Sequence, residues 1–114
     1  MAIGDRIPTE LLAPTVLSST ATSLFSNAST NYRTQLTGIW VYNNGSSQRT
    51  VTLYKNGTAS SNIFSSFALD ANSGVLIDLA GKALVFTGTQ QIAAKQDTGT
   101  DVNISAYGIV EQIA

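Results

Sequence analysis

No stretch of ten or more residues in this chain sets apolar side chains at i, i+3, i+4 and i+7 without a glycine or a β-favouring cluster interrupting the pattern. A helix therefore has little room to form. In its place come short runs rich in β-branched and aromatic residues, each closed by a cluster of Asn, Gly, Ser or Asp. That is the punctuation of strands and turns, and it predicts about eight strands.

Residues 15–26 form a weak first strand or pair, and residues 35–42 form the clearest run. Simple alternation sets Leu36, Gly38, Trp40 and Tyr42 on one face and Thr37, Ile39 and Val41 on the other, which predicts that both faces are at least partly covered. Asn43-Asn44-Gly45-Ser46-Ser47 is then a turn, because Asn-Gly tolerates positive φ. Residues 49–55 alternate more cleanly, with Val51 and Leu53 opposed to Thr50, Thr52 and Tyr54, and Asn56-Gly57 closes the run. Strands follow at 63–69, 75–79, 83–87, 90–95 and 102–110, with turns at 70–74, 80–82 and 97–101. The expected fold is all-β, a single antiparallel β-sandwich or jelly-roll-like domain over residues 15–114. No internal repeat at a fixed period points to a solenoid or propeller.

A chain of 114 residues is one domain's worth. Residues 1–14 stand apart in character. They hold both prolines, Pro8 and Pro14, with Ile3, Ile7, Leu11 and Leu12 between charged Asp5, Arg6 and Glu10. Each proline biases the residue before it toward extended geometry, so this segment is expected to be an extended N-terminal arm. Its four aliphatic side chains need cover, either on its own domain or on a neighbour, which makes Ile3, Arg6, Ile7, Pro8, Leu11, Leu12 and Pro14 the candidate interaction residues.

Charged residues make up only 11% of the chain, against about 25% in an average domain, and 13 Ser and 14 Thr supply the polar surface instead. With a net charge of −1 and six Lys and Arg spread singly, there is no footprint for nucleic acid. The absence of Cys and His removes disulfides, thiol nucleophiles, the commonest general base and the commonest zinc ligands. No apolar run approaches a membrane span, and the first residues do not form a secretory signal, so the expectation is a soluble protein made in a cytoplasm. No cofactor, catalytic residue or metal site is expected.

Four local patterns each have a plain structural alternative. Asp97-Thr98-Gly99-Thr100 resembles the aspartic-protease motif, but its flanks Ala93-Ala94-Lys95-Gln96 and Asp101 suit an exposed turn, and too little chain follows for the family's downstream elements. Asp70-Ala71-Asn72-Ser73-Gly74 opens like a calcium loop, yet Gly74 stands where an EF-hand needs an oxygen ligand, leaving only a looser surface cation site at Asp70, Asp97 or Asp101. Asn27, Asn44, Asn56 and Asn103 head glycosylation sequons that an Asn/Ser/Thr-rich composition produces by itself. Trp40, Tyr42, Tyr54, Phe64, Phe67 and Phe86 suit either a sugar-stacking platform or the core, and the core is the favoured expectation.

Residues 15–111 resemble the small β-sandwich proteins of tailed-bacteriophage virions, among them capsid decoration (cement), head-fibre and neck-associated proteins. The features that carry this are the strand Gly38-Ile39-Trp40-Val41-Tyr42-Asn43-Asn44, then Thr50-Val51-Thr52-Leu53-Tyr54-Lys55-Asn56-Gly57, the turn Ala80-Gly81-Lys82-Ala83-Leu84, and the closing Val102-Asn103-Ile104-Ser105-Ala106-Tyr107-Gly108-Ile109-Val110-Glu111. The resemblance implies a non-enzymatic virion structural protein on the capsid surface, a homotrimer whose partner is the major capsid protein or another virion protein. A receptor- or glycan-binding knob, with loop residues such as Asn44, Ser46, Asn72 and Thr100 facing the ligand, and a neck or head-completion protein remain as alternatives.

Overall fold

The computed structural model describes residues 2–79 and 84–114, so the turn expected at 80–82, and Ala83 with it, lie outside the described residues. Among the described residues there are nine strands: β1 (Arg6–Val16), β2 (Thr22–Ser26), β3 (Tyr32–Asn43), β4 (Arg49–Lys55), β5 (Ile63–Leu69), β6 (Ser73–Asp78), β7 (Leu84–Thr87), β8 (Gln91–Gln96) and β9 (Val102–Gln112). The one helical element among these residues is the 3₁₀ turn Ser60–Asn62. The sequence expectation for β4 and β5 coincides with the observed strands, while the weak pair at 15–26 resolves into the end of β1 and all of β2.

Two antiparallel sheets form the sandwich, one ordered β1-β9-β3-β6 with β7 also on β3, the other β2-β8-β4-β5. The chain folds back at the β4–β5 hairpin, then pairs β3 with β6 and β7, β2 with β8, and β1 with β9. Wrapping that long ribbon so that β9 also meets β3 and β8 also meets β4 makes a jelly roll. Positive φ falls at Asn56 and Asn72, on the turn clusters the sequence marks. Between the sheets pack Leu36, Ile39, Val41, Val51, Leu53, Phe86, Ile92, Val102, Ile104 and their neighbours.

The extended geometry expected for residues 1–14 is that of β1, which begins at Arg6 and pairs along β9. The strand runs past residue 14 to Val16, so a boundary there falls inside one strand. Of the two covers open to the aliphatic residues, Leu11 and Leu12 take their own domain and pack against the core. An edge strand is where proline belongs, since only one side of the strand must donate, and register shifts between Glu10 and Leu12 and between Leu12 and Thr15 loosen the pairing ahead of Pro14.

One irregularity changes which residues face out. Between Leu36 and Gly38 the β3–β9 register shifts by a residue, leaving Thr37 as a bulge. Thr34 and Leu36 point inward before it, and Ile39, Val41 and Asn43 after it. The expectation that Leu36 shares a face with Trp40 and Tyr42 is thus corrected, because a bulge inverts the alternation downstream.

Candidate interaction surface

The corrected parity places large apolar side chains on the solvent face of the β1-β9-β3-β6 sheet. Trp40 lies opposite Leu76 on β6 and Ser105 on β9, and Tyr42 opposite Gly74 and Asn103. Residues directly opposed across antiparallel strands share a face. Trp40 is 49% exposed and Tyr42 44%, with Leu76 and Val16 exposed beside them. Of the six aromatic residues expected in the core, Tyr54 and Phe86 are buried and Phe67 packs against it, but Trp40, Tyr42 and Phe64 are exposed. For Trp40 and Tyr42 the signal missed in the sequence was the bulge at Thr37, which no local residue pattern announces.

The tyrosines of this face are seated on glycines. A Cβ built on Gly74 would lie 2.9 Å from Tyr42 Cδ1, and one on Gly38 would lie 3.0 Å from Tyr107 Cε2. Each ring therefore leans across its neighbour strand over a residue with no side chain. Between Pro14, Trp40, Tyr42, Gly74, Asn103 and Ser105 this leaves an open groove of about 440 Å³. Among the described residues, no charged side chain lines it. A second, more open depression further along the same face is bordered by Pro8, Glu10, Thr37, Tyr107 and Ile109.

The opposite end of that face is ionic. Glu111, buried on β9, accepts from Arg33 Nε at 3.0 Å and Nη2 at 3.1 Å, accepts also from Gln35 Nε2, and stands 3.6 Å from Arg6 Nε. The Arg33 guanidinium holds the Glu111 carboxyl below the ordinary carboxylate range, with burial opposing it and Gln35 and Arg6 assisting. The folded carboxyl releases its proton more readily than the unfolded one, whose pKa lies near 4.3. Its stabilising contribution is therefore present above that value and is lost as pH falls through the lowered folded value. The urea midpoint is expected to drop more steeply between about pH 5 and pH 3 for the natural chain than for Glu111→Gln. Equal slopes in the two proteins would refute that assignment.

The remaining candidates of the N-terminal segment divide by position. Arg6 joins the Glu111 cluster, and Pro8 and Pro14 border the two depressions. Ile3 is 70% exposed and Ile7 46%. Gly4 N donates to Gln112 O at 2.8 Å, so the two ends of the chain meet there, next in sequence to exposed Ile3 and exposed Ile113.

Asp97 and its neighbours to Thr100 form an exposed loop between β8 and β9, with Asp97 N donating to Thr50 O and Gly99 at φ 80°. Asp101 Oδ2 accepts from Arg49 Nη2 at 2.6 Å, and Asp70 Oδ1 accepts from Gln48 Nε2. Among the described residues no group of three carboxylates is gathered for a cation.

No protein-family model matches the chain, and no curated protein sequence matches it. Its fold is similar to that of Bacillus endospore appendages, described as disulfide-linked pili, with a TM-score of 0.57 at 9% identity over 99% of this chain and 93% of the other. Weaker likenesses are to the virus-like particle of the extra small virus of the giant freshwater prawn Macrobrachium rosenbergii, with a TM-score of 0.48 at 7% identity over 98% and 83% of the two chains, and to the Tobacco streak virus coat protein, with 0.46 at 13% over 96% and 86%. These likenesses extend to the fold alone.

Proposed function

We propose that the chain is a non-enzymatic structural protein of a bacteriophage virion, a capsid decoration (cement) protein that binds the outer head surface as a homotrimer and stabilises coat-subunit contacts. The supporting observation is the pair Ile3 and Ile7, left exposed on a segment whose other aliphatics, Leu11 and Leu12, are already packed. Ile3, in the turn ahead of β1, and Ile7, at the start of that strand, are apolar side chains ready to be covered by a partner such as the major capsid protein. With no Cys in the chain, assembly rests on non-covalent contacts alone, and a chain with only 11% charged residues makes those contacts weakly dependent on salt. The setting is the capsid surface, after synthesis in the host cytoplasm. A neck or head-completion role shares this support. A glycan-binding knob is favoured instead by the exposed Trp40 groove on the sheet's outer face.

The test is mass spectrometry of gradient-purified particles from cells carrying the gene, with the chain expected in fixed ratio to the coat protein. Native mass spectrometry of the purified chain is expected to give three times 12.0 kDa. Deleting residues 1–14 would also strip β1 from β9, so the sharper variant is Ile3→Ser with Ile7→Ser, expected to weaken particle binding roughly tenfold or more with an unchanged urea midpoint. Absence of the chain from the particles would end the virion proposal, and full binding by the double variant would move the contact elsewhere.

A further inference from the structure

We infer that the groove on the outer face of the β1-β9-β3-β6 sheet binds a neutral carbohydrate, stacked on Trp40 and Tyr42 and hydrogen-bonded by Asn103 and Ser105. A pyranose carries a flat face of C–H groups and a rim of hydroxyls, so a site for it needs aromatic surface and uncharged polar groups side by side. This groove supplies both, and among the described residues its lining holds no Lys, Arg, Asp or Glu with which to recognise a sugar acid or a phosphate. Asn103 and Ser105 are half-buried in it, and among the described residues neither side chain has a hydrogen-bond partner in the protein. Opposed to Tyr42 and Trp40 across β3 and β9, they stand beside the rings and not beyond them.

The glycine beneath Tyr42 matters to the same end. With Gly74 opposite, the ring leans across β6 and widens the aromatic surface next to Trp40, where a Cβ at 2.9 Å would lift it away. The dimensions favour a sugar over a protein partner. Two alternate positions on each of four neighbouring strands span roughly 7 by 15 Å, or about 100 Å², whereas a stable protein interface buries on the order of 800 Å² per partner. A volume of about 440 Å³ lies within the range of small-ligand sites. The groove lies some 27 Å along the sheet from Ile3, eight residues away in the β9 register, so it stands independently of the particle contact proposed above.

Trp40 is the sole tryptophan, and its emission therefore reports on this groove alone. The experiment titrates the purified chain with soluble neutral polysaccharides (a β-glucan, xylan, mannan, galactan and dextran), reading Trp40 emission, acrylamide quenching and retardation in affinity gels. At least one is expected to shift the emission to the blue, protect Trp40 from acrylamide and retard the chain. Trp40→Ala is expected to weaken that retardation tenfold or more, and Asn103→Ala several-fold, both with an unchanged circular dichroism spectrum and urea midpoint. Three results would overturn the inference: no polysaccharide altering the quenching of Trp40, retardation that survives Trp40→Ala, or a change in native mass on Trp40→Ala, which would mark the face as a subunit contact.

Discussion

Gly108→Ala is expected to lower the urea midpoint by about 1–2 M, a loss of roughly 3 kcal/mol from the addition of one methyl group. A Cβ at this position would run into Gln35 O and lie 2.9 Å from Gln35 C and 3.0 Å from Leu36 Cα. All three are backbone atoms of β3, the central strand of its sheet, and none can turn aside. The close approach arises from the bulge, since Gly108 opposes Leu36 where the register shifts and the two backbones converge. Relief would require β3 and β9 to part along their longest pairing. Gly38→Ala is the control. Its Cβ meets ring carbons of Tyr107 at 3.0 and 3.2 Å, and that half-exposed side chain can swing away, so a cost below about 1 kcal/mol is expected. Similar losses in the two variants would show that backbone contact at the bulge is not what Gly108 relieves.

Strand positions were legible because turn residues are strong local signals. Asn56 and Asn72 both take positive φ where the sequence marks turns, and β4 and β5 begin and end where the alternation does. Facing was less legible, since it depends on register. A single bulged residue at Thr37, fastened by Leu79 N donating to Thr37 O, inverts β3 from that point on and carries Trp40 and Tyr42 out of the core. Nothing in the residues 35–42 tells a bulged strand from a regular one, because the bulge is a property of β3 and β9 together.

The same limit governs the surface residues. Exposure of Ile3 and Ile7 follows from their place in the turn before β1 and at the strand's start, whereas the partial burial of Leu11 and Leu12 follows from where the register shifts in β1 turn them. Asn103 and Ser105 head no motif beyond a glycosylation sequon. They join the groove only because β9 returns beside β3 after some sixty intervening residues, a long-range pairing that local composition does not encode.

Phe86→Ala is expected to cost about 3–5 kcal/mol, the most that truncation of a single side chain can take from this core. The ring is fully buried, meets Phe25 edge-on at 5.5 Å between centroids, and lies 5.0 Å beneath Lys55 Nζ. Phe86 sits on β7, only four residues long and paired along Arg33–Leu36 of β3. So short an edge strand has few backbone hydrogen bonds of its own, and burial of Phe86, its one fully buried side chain, with Leu84 partly buried beside it, is what fixes it to the sheet. Truncation therefore opens a cavity between β2 and β7 and loosens the strand as well. Phe86→Leu keeps most of the volume while losing the edge-on contact and the cation above the ring, for an expected loss of roughly 1–1.5 kcal/mol. Urea unfolding of both variants, with amide hydrogen exchange across Leu84–Thr87, separates the two effects. Faster exchange in β7 is expected for the alanine variant alone, and uniform exchange in both would show that the strand is held by its pairing to β3 and not by Phe86.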